Sequence, residues 1–167
     1  MIALLIVALS LAGLVLSIYF TFAYYGRVKK SRWVPEILCA REGSSCVTVV
    51  QTPYARVFGV PNSLLGIVYY LAVLVWVFDD IEGWSFPIWT SIAGGFIGSI
   101  EVGMGAMELH FSGPVHLLLV LASLGTVVLG FYLIYALRRL LQTDCPLCFT
   151  AHAINLAIFV LLFLSAG

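Results

Sequence analysis

Four long stretches of this chain contain no Asp, Glu, Lys or Arg: residues 2–26, 57–78, 114–137 and 145–167. Each is close to the ~20 residues that a helix needs to cross the hydrocarbon core of a bilayer. A segment in lipid must satisfy its own backbone hydrogen bonds, so uncharged runs of this length predict helices. Composition agrees, with 62% hydrophobic and 10% charged residues and a mean hydropathy of +1.10, values outside the range of soluble domains. The expected fold is all-α and integral to the membrane, a four-helix transmembrane bundle forming one domain over residues 1–167. Its spans are placed at 2–26, 57–78, 114–137 and 145–166. The first run lacks a basic start and ends in aromatics, unlike a cleaved signal peptide, so it is read as a retained span.

The connections carry the polar chemistry. Residues 27–56 form a cap loop that opens on Arg27-Val28-Lys29-Lys30-Ser31-Arg32-Trp33, a membrane-surface anchor. This loop holds Cys39 and Cys46, with Gly43, Ser44 and Ser45 between them as a turn that lets the two sulfurs meet. The second span opens at Pro61-Asn62-Ser63, where Asn62 can cap the helix, and closes at an acidic turn, Asp79-Asp80-Ile81-Glu82-Gly83. The segment 84–113 is apolar but rich in glycine, and it carries Glu101, Glu108 and His110. Each glycine weakens a helix by ~1 kcal/mol relative to alanine, and a carboxylate within the bilayer costs about 3 kcal/mol or more. This extra segment is expected to be re-entrant or in-plane. Its ionisable groups are then solvated, with a proton path or a metal site as the alternative. Gly94, Gly95 and Gly98 suit close helix packing rather than phosphate binding. The formal net charge is zero and no basic stripe is present, which excludes a nucleic-acid partner.

Cys145-Pro146-Leu147-Cys148 opens the last apolar run, with Asp144 as the expected N-cap and Pro146 in the first turn. The exposed N–H groups and the positive end of the helix dipole favour a thiolate there, so one of the two cysteines should be reactive. The chain's four cysteines fall in two close pairs, which points to dithiol and disulfide exchange. A structural disulfide between Cys39 and Cys46, or a thiolate site for zinc or copper, is the competing use of the same residues. His152 follows Cys148 by four positions and sits one turn deeper on the same helix face. It can serve a bound acceptor as a hydrogen-bond or proton donor, or bond to a neighbouring helix.

Exchange between the pairs requires an even number of crossings between Cys46 and Cys145. The runs 57–78 and 114–137 supply two, so 84–113 should return to its own side. All eight basic residues then share the cysteine face, opposite Asp79, Asp80 and Glu82. By the positive-inside rule that face is cytoplasmic. The alternative is an extracytoplasmic face, because a folded cap is exempt from the rule. Cytoplasmic disulfides are familiar from hyperthermophilic archaea and bacteria.

Three stretches together resemble the vitamin K epoxide reductase family and its microbial homologues. They are Cys39-Ala-Arg-Glu-Gly-Ser-Ser-Cys46, then Thr52-Pro-Tyr-Ala-Arg-Val-Phe-Gly-Val-Pro-Asn62-Ser-Leu-Leu-Gly66, then Cys145-Pro-Leu-Cys148. The resemblance covers most of the chain apart from about residues 80–113. It implies a four-helix bundle around a quinone of the ubiquinone or menaquinone type. Electrons would pass from a separate thioredoxin-like dithiol protein to Cys39/Cys46, then to Cys145/Cys148, then to the quinone in the membrane. On the same resemblance Cys39 would meet the partner's thiol, Cys46 would exchange with Cys145, and Cys148 would face the quinone. Asn62 would hydrogen-bond a quinone carbonyl, and Thr52 matches a hydroxyl residue near the loop cysteine. Two positions depart from the family. Its vertebrate members have tyrosine where this chain has His152, and 84–113 is longer than the usual connection, so their inhibitor and substrate specificity does not carry over. The implied activity is that of a quinone-dependent thiol oxidoreductase acting as a monomer, without metal. A vitamin K quinone or epoxide reductase, or a thiolate metal-binding membrane protein, is the alternative.

Overall fold

The computed structural model describes residues 2–27, 49–57, 59–82, 100–104, 107–111, 114–142 and 145–165. Cys39, Cys46 and most of the expected cap loop lie outside them. Four long helices dominate: α1 (Ile2–Tyr24), α2 (Asn62–Glu82), α3 (Pro114–Tyr135) and α4 (Pro146–Leu164). Three of them, α1, α3 and α4, are long and apolar enough to cross a membrane, and α2 carries a shorter apolar stretch, Asn62–Phe78.

Successive helices run in opposite directions. Ile6 of α1, Val77 of α2, Leu119 of α3 and Leu162 of α4 share one buried cluster. Phe20 of α1, Leu137 just beyond α3, and Cys145 and Cys148 at the start of α4 share a second, together with Val49 and Val50. The first cluster marks the distal end of the bundle and the second the cysteine end. The start of α2 joins the cysteine end, since Thr21 Oγ1 donates to Ser17 O (2.8 Å) and meets Ser63 Oγ at 3.0 Å. The chain therefore leaves α2 and re-enters α3 at the same distal end, where Trp76 stacks on His116 with ring centroids 4.8 Å apart.

Small residues decide how closely the helices approach. A Cβ on Gly13 of α1 would collide with the Tyr70 ring, and one on Gly66 of α2 would lie 2.6 Å from Ser17 Oγ. Lipid tails offer no hydrophobic drive between helices, so close approach of small residues is what gives α1 and α2 their dispersion contacts. α1 also packs along α4, and α4 along α3, whereas α2 and α3 meet over a shorter stretch. There Tyr69 Oη lies 2.7 Å from Ser123 Oγ. Ser123 gives its own hydrogen to Leu119 O (2.7 Å), so Tyr69 is the donor.

The chain departs from the all-α expectation in three places. The second helix starts at Asn62, not residue 57, because Gly59 has φ +81° and Arg56–Val57 pairs antiparallel with Val60–Pro61. Pro61 lacks an N–H and disfavours helix before it, so helix begins one residue later. At the other end α2 runs through Asp79 and Asp80 to Glu82 instead of closing in an acidic turn. Within 84–113 the described residues form an antiparallel hairpin, β3 (Ile100–Met104) with β4 (Met107–Phe111), numbered after the pair at 56–61. Its register sets Glu101 opposite His110 and Gly103 opposite Glu108. The cause is strict alternation, with Ile100, Val102, Met104, Met107, Leu109 and Phe111 separated by polar residues and glycine, a period of two that suits strand and not helix. Gly94, Gly95 and Gly98 lie outside the described residues.

Candidate functional site

At the cysteine end α4 begins with Cys145 as its N-cap, in an extended conformation (φ −122°, ψ 97°). Asp144 is not the cap, because the residue before Pro146 is forced out of helical geometry and takes the role itself. The Cys145 sulfur accepts from the Cys148 backbone N–H at 3.3 Å, so the cysteine pair and the helix cap are one structure. The two cysteines form a disulfide with their Cα atoms 5.3 Å apart.

The two sulfurs have different surroundings. Cys148 lines a cavity of about 340 Å³ bounded by all four helices and the segment Val49–Ala55, whereas Cys145 does not. Cys145 is completely buried, against the cluster that includes Val49, Val50, Phe20 and Leu137. Val49 lies in a turn of helix that ends at Gln51, and Thr52 Oγ1 donates to Val49 O at 2.7 Å. A widened π turn, Ala136–Leu140, ends the third helix and buries Ala136 and Leu137 at this site. Outside it, the Arg138 guanidinium sits 5.3 Å from the Phe149 ring centre and Arg56 sits 5.4 Å from that of Tyr24.

Of the residues expected from sequence, Thr52, Asn62, Cys148 and His152 all line this cavity, and Cys145 lies behind Cys148. Cys39 and Cys46 fall outside the described residues. His152 is half-buried and its Nδ1 is a buried polar atom without a hydrogen-bond partner. That nitrogen faces Gly130 of α3, where an added Cβ would lie 2.9 Å from it. The other such atom among the described residues is Ser10 Oγ, away from the cavity.

The sequence reading missed Tyr69, Tyr70 and Asn155, which also line the cavity. Tyr70 donates its hydroxyl to Asn155 Oδ1 at 2.5 Å. Asn155 follows Cys148 by seven positions and His152 by three, so the i, i+4, i+7 face that carries those two also carries it. That periodicity was the available signal.

A family model for the vitamin K epoxide reductase family matches residues 4–163. The chain belongs to that family. No match is found among curated proteins. Membership in the vitamin K epoxide reductase family makes the chain a multi-pass membrane oxidoreductase of the disulfide and quinone type. The cavity fits such an acceptor on its own terms. Its volume falls in the range of small-molecule sites, about 300–1,000 Å³, with apolar walls and a few polar groups. Those groups, at Asn62, His152 and Asn155, are what a quinone's two carbonyl oxygens would require. A disulfide on the rim completes the set, because a quinone takes up two electrons and two protons and a dithiol supplies both.

Proposed function

We propose that this protein is a quinone-dependent thiol:disulfide oxidoreductase that oxidises a separate thioredoxin-like dithiol protein. All four helices, including α2, cross the membrane on this reading. The observation that carries it is the unequal setting of the two sulfurs, Cys148 on an apolar cavity and Cys145 packed beneath the chain at Val49. Val49 is three residues beyond Cys46, and three residues of chain reach at most ~11 Å. That leash lets the Cys46 sulfur approach Cys145 while Cys148 keeps its place on the cavity.

In the forward direction the partner's two thiols reduce the Cys39–Cys46 disulfide, and Cys39 is the sulfur the partner attacks. Cys46 then attacks Cys145 and expels Cys148 as a thiolate, and Cys39 attacks Cys46 in the resulting mixed disulfide, which re-forms Cys39–Cys46 and leaves Cys145 and Cys148 reduced. Reduced Cys145 and Cys148 transfer two electrons and two protons to the quinone, giving hydroquinone and restoring their disulfide. The thiolate form required for each exchange is favoured at Cys145 and Cys148 by the N-terminus of α4. Asn62 and His152 meet the quinone carbonyl nearer the disulfide, and Thr52 fixes the turn from Val49 that packs against the site. Ubiquinone and menaquinone types both meet these requirements.

Arg27, Arg56, Arg138 and Arg139 fall at the cysteine end, beyond α1, before α2 and at the end of the π turn, and Asp79, Asp80 and Glu82 end α2 at the distal end. This distribution supports a cytoplasmic cysteine face by the positive-inside rule. Labelling of intact cells with an impermeant thiol reagent tests it: reaction before lysis contradicts a cytoplasmic face.

The activity is tested by mixing purified protein, a reduced dithiol protein and a short-chain quinone, and following loss of quinone absorbance. One quinone should be consumed per protein dithiol oxidised. Cys39→Ala should block the protein substrate but spare turnover with a small dithiol that reaches the inner pair directly. Stoichiometric bound zinc or copper together with inert thiols would instead identify a metal-binding protein.

A further inference from the structure

The inner end of the cavity, away from the disulfide, is walled by Tyr69, Tyr70, Thr126 and Asn155. The hydroxyl hydrogens there are committed. Tyr69 gives its hydrogen to Ser123 Oγ, Thr126 gives its own to Ser123 O at 2.8 Å, and Tyr70 gives its own to Asn155 Oδ1. An asparagine side chain has one acceptor oxygen and two N–H donors. With the oxygen taken by Tyr70, what Asn155 offers the cavity is its donors.

We propose that Asn155 is the inner hydrogen-bond donor of the quinone site, its amide N–H binding a carbonyl oxygen, and that Tyr70 is the positioning residue that fixes this polarity. The inference rests on the quinone reading above. Tyr70 is nearly inaccessible, and its ring is seated against Gly13, where any Cβ would displace it. The hydroxyl is therefore held at Asn155, and the amide is not free to turn its oxygen inward. A donor at this end matches the oxidised acceptor, whose carbonyls only accept hydrogen bonds. Hydroquinone must donate as well, and it finds no acceptor on Asn155. The site thus binds the oxidised form more tightly and releases the product of the forward reaction.

The test uses the purified full chain in detergent, with KM and kcat measured for a short-chain quinone. The rate at which a small dithiol reduces the Cys145–Cys148 disulfide without quinone is measured alongside. Asn155→Asp keeps an acceptor for Tyr70 and, assayed at raised pH as the carboxylate, has no donor. It should raise KM about tenfold or more, at least as much as Asn155→Leu, with the thiol step unchanged. Tyr70→Phe should raise KM to a smaller extent. If Asn155 were merely a strap between α2 and α4, Asn155→Asp would behave as wild type, and that result overturns the proposal.

Asn155→Leu supplies a second reading that does not depend on burying a carboxyl group. Wild type should prefer the quinone over a monocarbonyl analogue by about tenfold, and the leucine variant should lose that preference. Discrimination that persists in Asn155→Leu overturns the proposal too. Wild type that turns over quinone but fails these comparisons sinks the Asn155 role alone, whereas wild type that reduces no quinone sinks the functional reading and this inference with it.

Discussion

The two ends of the bundle are built from the same four helices and differ in how they treat space and polar groups. At the distal end Val73, Ile158 and Leu162 are completely buried, and Trp76 lies flat on His116. His116 Nε2 there meets Leu162 O at 3.2 Å and Ser165 Oγ at 3.3 Å. At the cysteine end α2 and α3 part around the cavity, and His152, on α4 and facing Gly130 of α3, keeps a buried nitrogen without a partner. One histidine closes a bundle, the other leaves a nitrogen unpaired one helical turn from a disulfide. On the proposed function, stability and chemistry separate along the bundle axis, so each should be open to perturbation without the other.

The most severe break of this contrast is Cys148→Ala. It removes the sulfur on the cavity, and quinone reduction should fall to the uncatalysed background while the protein still elutes as a folded species in detergent. Next comes Gly125→Leu. An added Cβ at Gly125 meets nothing within 4 Å, and the residue lines the cavity, so leucine fills acceptor space without clash. Quinone turnover should drop by about a hundredfold, roughly the discrimination a few mismatched methylene groups give. Thermal stability should be unchanged or higher, read by the melting temperature of the purified protein.

Gly130→Ala has a smaller effect. Its Cβ would press on His152 Nδ1, and overpacking costs typically ~1–3 kcal/mol. The expected result is a several-fold rise in quinone KM from the displaced imidazole, with reduction of the inner disulfide by a small dithiol unaltered. Least of all, and at the other end, His116→Phe keeps a ring for Trp76 but loses the bonds to Leu162 and Ser165. Interhelical hydrogen bonds in membranes are worth about 0.6 to 1.7 kcal/mol, so a stability loss of this size is expected, with quinone kinetics equal to wild type. Altered quinone kinetics in His116→Phe would erase the separation of the two ends.

Much of this architecture could be read from charge alone. The uncharged runs gave α1, α3 and α4 to within a few residues, since a bilayer demands that length, and Cys148 and His152 follow from i, i+4 spacing on a helix. Thr52 and Asn62 came through the family resemblance and line the same cavity as Cys148. What stayed hidden depends on pairs distant in sequence. Tyr70 and Asn155 are 85 positions apart, Tyr69 and Ser123 are 54 apart, and in helices that are apolar on every side nothing in the local pattern says which face meets which. The hairpin at Ile100–Met104 and Met107–Phe111 was hidden for a different reason. Its alternation is plain in the residues, but in so apolar a chain the segment reads first as a membrane-associated return, and the period of two is overlooked.

The continuation of α2 through Asp79 and Asp80 to Glu82 has a simpler lesson. Charge marks where lipid ends, and a helix is free to run on into water. The same logic explains the start of α4, where the backbone limits imposed by Pro146 placed the cap on Cys145 rather than on the acidic residue before it.

The most direct test of the account is to locate the acceptor. A short-chain quinone bearing a photoreactive azide, illuminated with the oxidised protein and mapped by mass spectrometry, should attach within Cys148–Asn155 of α4 or the first two turns of α2, and excess unmodified quinone should prevent it. Adducts confined to the distal end, around Trp76 and His116, or to the lipid-facing side of α1 would contradict it.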